Sequence, residues 1–111
     1  MDMVRLTDIE DYNNLPRTKW NIKQPDENEQ RENALDSKDG LDFILIPGLA
    51  FTVKGERCGR GKGYYDTFLS SVKSKQQKLP FTAALAFKQQ VIDYVPTDDH
   101  DVKIDVVLFS E

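Results

Sequence analysis

The sequence predicts an α/β fold, an open and mostly parallel sheet with flanking helices, on three observations. Residues 41–47 and 81–87 are nearly continuous in apolar side chains rather than alternating, the pattern of strands covered on both faces in parallel sheets. Between them Tyr64, Tyr65, Phe68, Leu69 and Val72 recur at helical spacing, so a helix with that stripe on a core is expected over residues 63–75. Residues 102–109 make a third strand, alternating before becoming fully apolar. Strand, loop, helix, strand implies right-handed parallel crossovers.

In chain order, residues 3–6 suit a short edge strand. Residues 7–15 suit a helix, with Thr7 as N-cap and Glu10 completing a capping box. Residues 16–28 are polar and interrupted by Pro16 and Pro25, which predicts a surface loop with Trp20 as its one large apolar side chain. Good helix formers over residues 29–35 predict a second helix, ended before Gly40. The first long apolar run is then a central parallel strand. Residues 51–63 carry too much glycine for a helix and read as a loop that opens onto the next helix N-terminus. Residues 89–94 form a short segment before the last strand.

With 111 residues and 39% hydrophobic content, the chain is one compact domain, residues 1–111, with a modest core. No run approaches the roughly 18 apolar residues of a membrane span, and the first 20 residues lack a signal-peptide pattern, so a soluble, cytoplasmic chain with no membrane partner is the expectation. Cys58 is the single cysteine, which excludes an internal disulfide and a multi-thiolate metal cage. Net charge of -4 argues against a general nucleic-acid binder. Charge is uneven, however: seven basic residues lie between positions 53 and 78, and five aspartates between 91 and 105. That order suits a polyanion held with its metal ion, or else two solvated faces of opposite sign.

The stretch that points to chemistry is Arg57-Cys58-Gly59-Arg60-Gly61-Lys62-Gly63-Tyr64-Tyr65-Asp66. Three alternating glycines let the backbone approach a ligand and turn successive N–H groups inward, and the following helix adds its positive end. Arg57, Arg60 and Lys62 add full charges suited to a phosphate chain. The P-loop pattern fails because Glu56 and Gly63 stand where it needs glycine and Ser or Thr, and G-x-G-x-x-G fails at Tyr64. A charged surface turn is the plainer alternative. Asp66, in the first turn of the helix, either complements the helix dipole or ligates magnesium, for which Asp101 is the best second carboxylate. Trp20 either covers the core or walls a pocket for a flat ring, and Tyr64 and Tyr65 offer the same choice. Cys58 has no partner pattern for a nucleophile and is read as incidental.

Taken together, Pro47-Gly48-Leu49-Ala50-Phe51, the string from Gly59 to Asp66, Leu85-Ala86-Phe87, Val95-Pro96 and Asp101-Val102-Lys103-Ile104-Asp105 resemble the 5-formyltetrahydrofolate cyclo-ligase family, also called methenyltetrahydrofolate synthetases, with Trp20-Asn21-Ile22 similar to its eukaryotic branch. The resemblance implies ATP-dependent conversion of 5-formyltetrahydrofolate to 5,10-methenyltetrahydrofolate, with magnesium, by phosphorylation of the formyl oxygen and ring closure from N10. It implies that Arg57, Cys58, Gly59, Arg60, Gly61, Lys62, Gly63, Tyr64 and Tyr65 line the ATP site. Trp20, Arg60, Gly61, Lys62, Gly63 and Tyr64 would border the folate, Arg60 and Lys62 would be catalytic, and Asp66 and Asp101 would hold Mg²⁺.

Cys58 departs from the usual aliphatic residue. The chain also matches from about midway along the family, so a partial three-layer domain lacking the amino-terminal half of the family fold is expected, with little or no turnover by the chain alone. A noncatalytic phosphate-binding or partner-binding module is the alternative, and RNA binding by one short loop in an acidic chain is disfavoured. Oligomeric state is not written in the sequence; a monomer is the expectation.

Overall fold

The computed structural model describes residues 1–59, 61, 63–97 and 101–110. Arg60 and Lys62, the two expected catalytic residues, lie outside the described residues, as do Asp98, Asp99 and His100. The architecture is α/β with a parallel sheet, as the sequence predicts. Strand β1 (Phe43–Leu45) pairs in parallel with β4 (Phe81–Ala86), which pairs in parallel with β5 (Val106–Phe109). The order β1-β4-β5 makes β4 central, so the first apolar run forms an edge strand and not the central one expected.

Between β1 and β4 the chain makes an antiparallel hairpin, β2 (Ala50–Phe51) with β3 (Arg57–Cys58), and then helix α2 (Tyr64–Gln76). The helix follows from its stripe: Phe68, Leu69 and Val72 are buried against Ile44, Ile46, Phe51, Ala84 and Ile104, and Tyr65 packs at the edge of that cluster. Tyr64, expected in the same stripe, is 54% exposed. At the far end Gln77 terminates α2 in a left-handed conformation, its N–H bonded to the Lys73 carbonyl. Gln76 clamps the start of β1, its amide giving and taking 2.9 Å hydrogen bonds with Leu41.

The helix covers one face of the sheet. On the other, Phe43, Leu45, Phe81, Leu85 and Leu108 are each more than half exposed. The expectation of strands shielded on both faces is therefore overturned for the described residues. A continuous apolar run reports that both faces are apolar, and says nothing of whether both are covered. Phe43 and Phe81, opposite one another in the β1–β4 register, stack with ring centroids 6.1 Å apart on this open face.

The first 40 residues depart furthest from expectation. Residues 3–6 make only a single bridge, Val4 with Asn33. Helix α1 is short (Ile9–Asn13), and its N-cap is Asp8, whose carboxylate accepts the Asp11 N–H at 2.8 Å. Thr7 instead donates its N–H to the Asp11 carboxylate. No second helix forms over residues 29–35, where only a 3₁₀ turn (Ala34–Asp36) is present. The reason is ionic: Arg31 forks onto both oxygens of Asp11 at 2.7 Å and also pairs with Glu29, so this stretch is drawn out along α1. Those bonds from Arg31, reinforced by the Thr7 N–H, hold the Asp11 carboxyl well below the usual carboxylate range. The third strand is also shorter than expected, since residues 102–105 approach β5 as irregular chain. No helix among the described residues is long and apolar enough to cross a membrane.

Candidate functional site

The C-terminal end of β1, the β2–β3 hairpin and the N-terminal end of α2 meet around a cleft of ≈ 960 Å³. That is the upper end of the range of about 300–1,000 Å³ typical of small-ligand pockets. Its position follows from topology, for ligands in open parallel sheets collect beyond the carboxyl ends of the strands.

One wall is the glycine loop. Gly61 and Gly63 have φ of 82° and 66°, a region in which a side chain would be strained, and Gly63 hands the chain directly to α2. No side chain among the described residues caps that N-terminus. The amides of the first turn are therefore offered to whatever occupies the cleft, together with the positive end of the helix dipole.

Asp66 follows in the first turn, its side chain 19% exposed. One carboxylate oxygen accepts the Val102 N–H at 3.0 Å and the other faces the Arg57 guanidinium at 3.5 Å. Asp101, next to Val102, thereby comes to the same cleft. Arg57, expected to line the site, is largely buried in the cleft wall. Its side chain is 11% exposed, one Nη donates to the Pro47 carbonyl at 3.3 Å, and the guanidinium lies 5.6 Å from the Tyr65 ring centroid.

Of the expected site residues, the structure gathers Arg57, Cys58, Gly59, Gly61, Gly63, Tyr64, Tyr65, Asp66 and Asp101 around this one cleft. Trp20 is not among its lining residues. Its ring is 74% exposed with the Lys19 Nζ 5.2 Å from the ring centroid, so it does not cover the core. Sequence reasoning missed Pro47, Gly48, Leu49, Thr67, Ser70 and Pro96 as lining residues. The turn at 47–49 is held from a distance by Gln90, whose side-chain amide donates to the Gly48 carbonyl at 3.1 Å. Thr67 and Ser70 were legible in principle, one and two turns along the helix face that carries Gly63.

The residues 1–110 match the model of the 5-formyltetrahydrofolate cyclo-ligase family. The chain belongs to that family. It is 53% identical to the mouse 5-formyltetrahydrofolate cyclo-ligase over 111 residues, which is 100% of this chain and 54% of the mouse protein. It is 42% identical to a probable 5-formyltetrahydrofolate cyclo-ligase of Caenorhabditis elegans, across 99% of this chain and 53% of that protein. Among solved structures it resembles the Aquifex aeolicus 5,10-methenyltetrahydrofolate synthetase, with a TM-score of 0.59 and 35% identity over 86% of this chain and 43% of that one. The chain thus spans about half the length of the cyclo-ligases it matches.

Two of the described lining residues, Asp66 and Asp101, are carboxylates, the donor type that a magnesium ion shared with a phosphate chain would take. Mg²⁺ at such sites takes one or two carboxylates and completes its shell with phosphate oxygens and water. Both line the cleft onto which the uncapped helix end opens. No group of three or more His, Cys, Asp or Glu side chains that would hold a metal unaided occurs among the described residues.

Proposed function

We propose that this chain provides the nucleotide and magnesium seat of a 5-formyltetrahydrofolate cyclo-ligase, an enzyme that uses ATP to close 5-formyltetrahydrofolate to 5,10-methenyltetrahydrofolate. The observation that carries this reading is the convergence of Gly61, Gly63, the uncapped start of α2, Asp66 and Asp101 on one cleft.

A formamide is a poor electrophile, and its oxygen leaves only once phosphorylated. The protein's share of that transfer is positioning and charge neutralisation. Amides of the glycine loop and of Tyr64 and Tyr65 grip the phosphate chain, and Arg60 and Lys62 supply full charges to the transferred group. Asp66 and Asp101 hold magnesium, which when bound neutralises the phosphate oxygens. Tyr64, with its ring half open to solvent at the mouth, borders both ligands. Trp20, exposed and outside the cleft lining, borders the pterin from beyond the cleft.

An ATP-dependent absorbance assay for methenyltetrahydrofolate tests the reading. It is run on this chain and on a chimera in which the chain replaces the matching half of the mouse relative. The chimera is expected to turn over and to lose turnover on Asp66→Asn, while the chain alone shows little or none. A chimera that folds and binds folate yet consumes no ATP overturns the proposal.

A further inference from the structure

Resting on that reading of the cleft, we propose that Arg57 is a positioning residue that occupies the metal-facing oxygen of Asp66 until metal and phosphate arrive together, and then moves to the phosphate. Asp66 has two oxygens. The first is committed to the Val102 N–H, and the second, the one left for a cation, faces Arg57. The contact of 3.5 Å is longer than the about 2.7–2.9 Å of a charge-assisted hydrogen bond, so the guanidinium leaves Asp66 without breaking a hydrogen bond to it and gives up only its bond to the Pro47 carbonyl.

This placement of Arg57 is built into the fold. A Cβ at Gly48 would come within 2.8 Å of the Phe51 ring and 2.9 Å of the Arg57 Cγ, and one at Gly59 within 2.6 Å of the Arg57 Nη1. Glycine at these two positions leaves the lane in which the arginine lies. Along it the guanidinium touches the turn after β1 through the Pro47 carbonyl, the start of α2 through Asp66, and the face of Tyr65. One cation thereby ties the turn after β1 and the start of α2 to its own strand, β3.

A divalent ion arriving alone meets Arg57 and the positive end of α2 and must displace the one against the field of the other. A polyphosphate arriving with it removes both obstacles, because it neutralises the ion and gives the guanidinium a bidentate partner. Metal and phosphate therefore bind with positive coupling, and Arg57 is its source.

The test is a Mn²⁺ titration of the 111-residue chain, followed by electron paramagnetic resonance of the free ion, with and without inorganic tripolyphosphate. Arg57→Gln is expected to bind Mn²⁺ alone about three- to tenfold tighter than the unsubstituted chain and to gain less from tripolyphosphate. A merely structural loss would not tighten metal binding. Asp66→Asn is expected to abolish Mn²⁺ binding in both backgrounds, leaving the free-ion signal at full strength. Weaker or equal Mn²⁺ binding by Arg57→Gln, with the Asp66 dependence intact, overturns the role of Arg57 and leaves the metal site standing. Binding that is absent, or indifferent to Asp66→Asn, removes the metal site and the proposal with it. Independently of any variant, the Arg57 side-chain ¹⁵N signals of the unsubstituted chain are expected to move when Mg²⁺ and tripolyphosphate are added together and hardly at all with Mg²⁺ alone. A response already complete with Mg²⁺ alone overturns the coupling.

Discussion

The Asp66 carboxylate accepts the Val102 N–H at 3.0 Å, across 36 residues of sequence. Through that bond the first turn of α2 holds the irregular lead-in to β5, and with it Asp101, at the mouth of the cleft. The side chain proposed to offer an oxygen to a cation thus also holds the segment that carries Asp101.

Asp66→Ala removes both the Val102 acceptor and the anionic partner of Arg57, leaving a partly buried amide unpaired and a guanidinium without a counter-charge. It is expected to destabilise the chain by about 1–3 kcal/mol, whereas Asp66→Asn, which keeps an oxygen for Val102, costs less. Urea unfolding of the two variants checks this; equal costs would mean that the Val102 bond contributes nothing.

Gly61 and Gly63 lie at positive φ, yet a Cβ at either meets nothing within 4 Å. Alanine there is penalised by backbone conformation alone, about 1 kcal/mol each, and asparagine, which tolerates the left-handed region, by less. Denaturant midpoints of Gly63→Ala and Gly63→Asn separate these cases, and a larger loss for asparagine would refute the conformational explanation.

The α/β class and the loop leading into α2 were more legible in the sequence than the first 40 residues. The string from Gly59 to Asp66 is read locally: glycine spacing, cations and a helix start are all adjacent in the chain, and its described members line one cleft. The stripe of Phe68, Leu69 and Val72 gave α2 for the same reason. What stayed hidden depends on distant partners. Propensity favours helix over residues 29–35, but it does not reveal that Arg31 pairs with Asp11, 20 residues away. Nor does it show that Arg57 is turned inward to Asp66, or that the Gln90 amide holds the Gly48 turn.

The Arg31–Asp11 pair makes the N-terminal segment acid-sensitive in a defined direction. A carboxyl whose folded pKa is depressed stabilises the docked segment fully above the ordinary value of about 3.9 and loses that contribution only as pH falls through the lower folded value. Hydrogen-exchange protection of the Ala34 N–H, which donates to the Met3 carbonyl, should therefore persist from neutral pH to about 4 and fail in stronger acid. Asp11→Asn should lack protection throughout, and loss in the unsubstituted chain between about pH 6 and 5 would assign it to another group.

The open sheet face carries Leu85 at 66% and Phe43 at 53% exposure, and a contiguous apolar patch of this kind drives association. The chain is expected to bind an apolar fluorescent dye and to self-associate with rising concentration, both reduced by Leu85→Lys. Sedimentation that stays monomeric at all concentrations, without dye binding, would show the face to be covered.

Backbone amide shifts on titrating magnesium ATP into the ¹⁵N-labelled chain decide most directly whether the loop ahead of α2 seats a phosphate chain. Saturable shifts centred on Gly59, Gly61, Gly63, Tyr64 and Asp101, lost on Asp66→Asn, are the result predicted. Saturable shifts confined to other surfaces, or none at millimolar nucleotide with the chain folded, would contradict it.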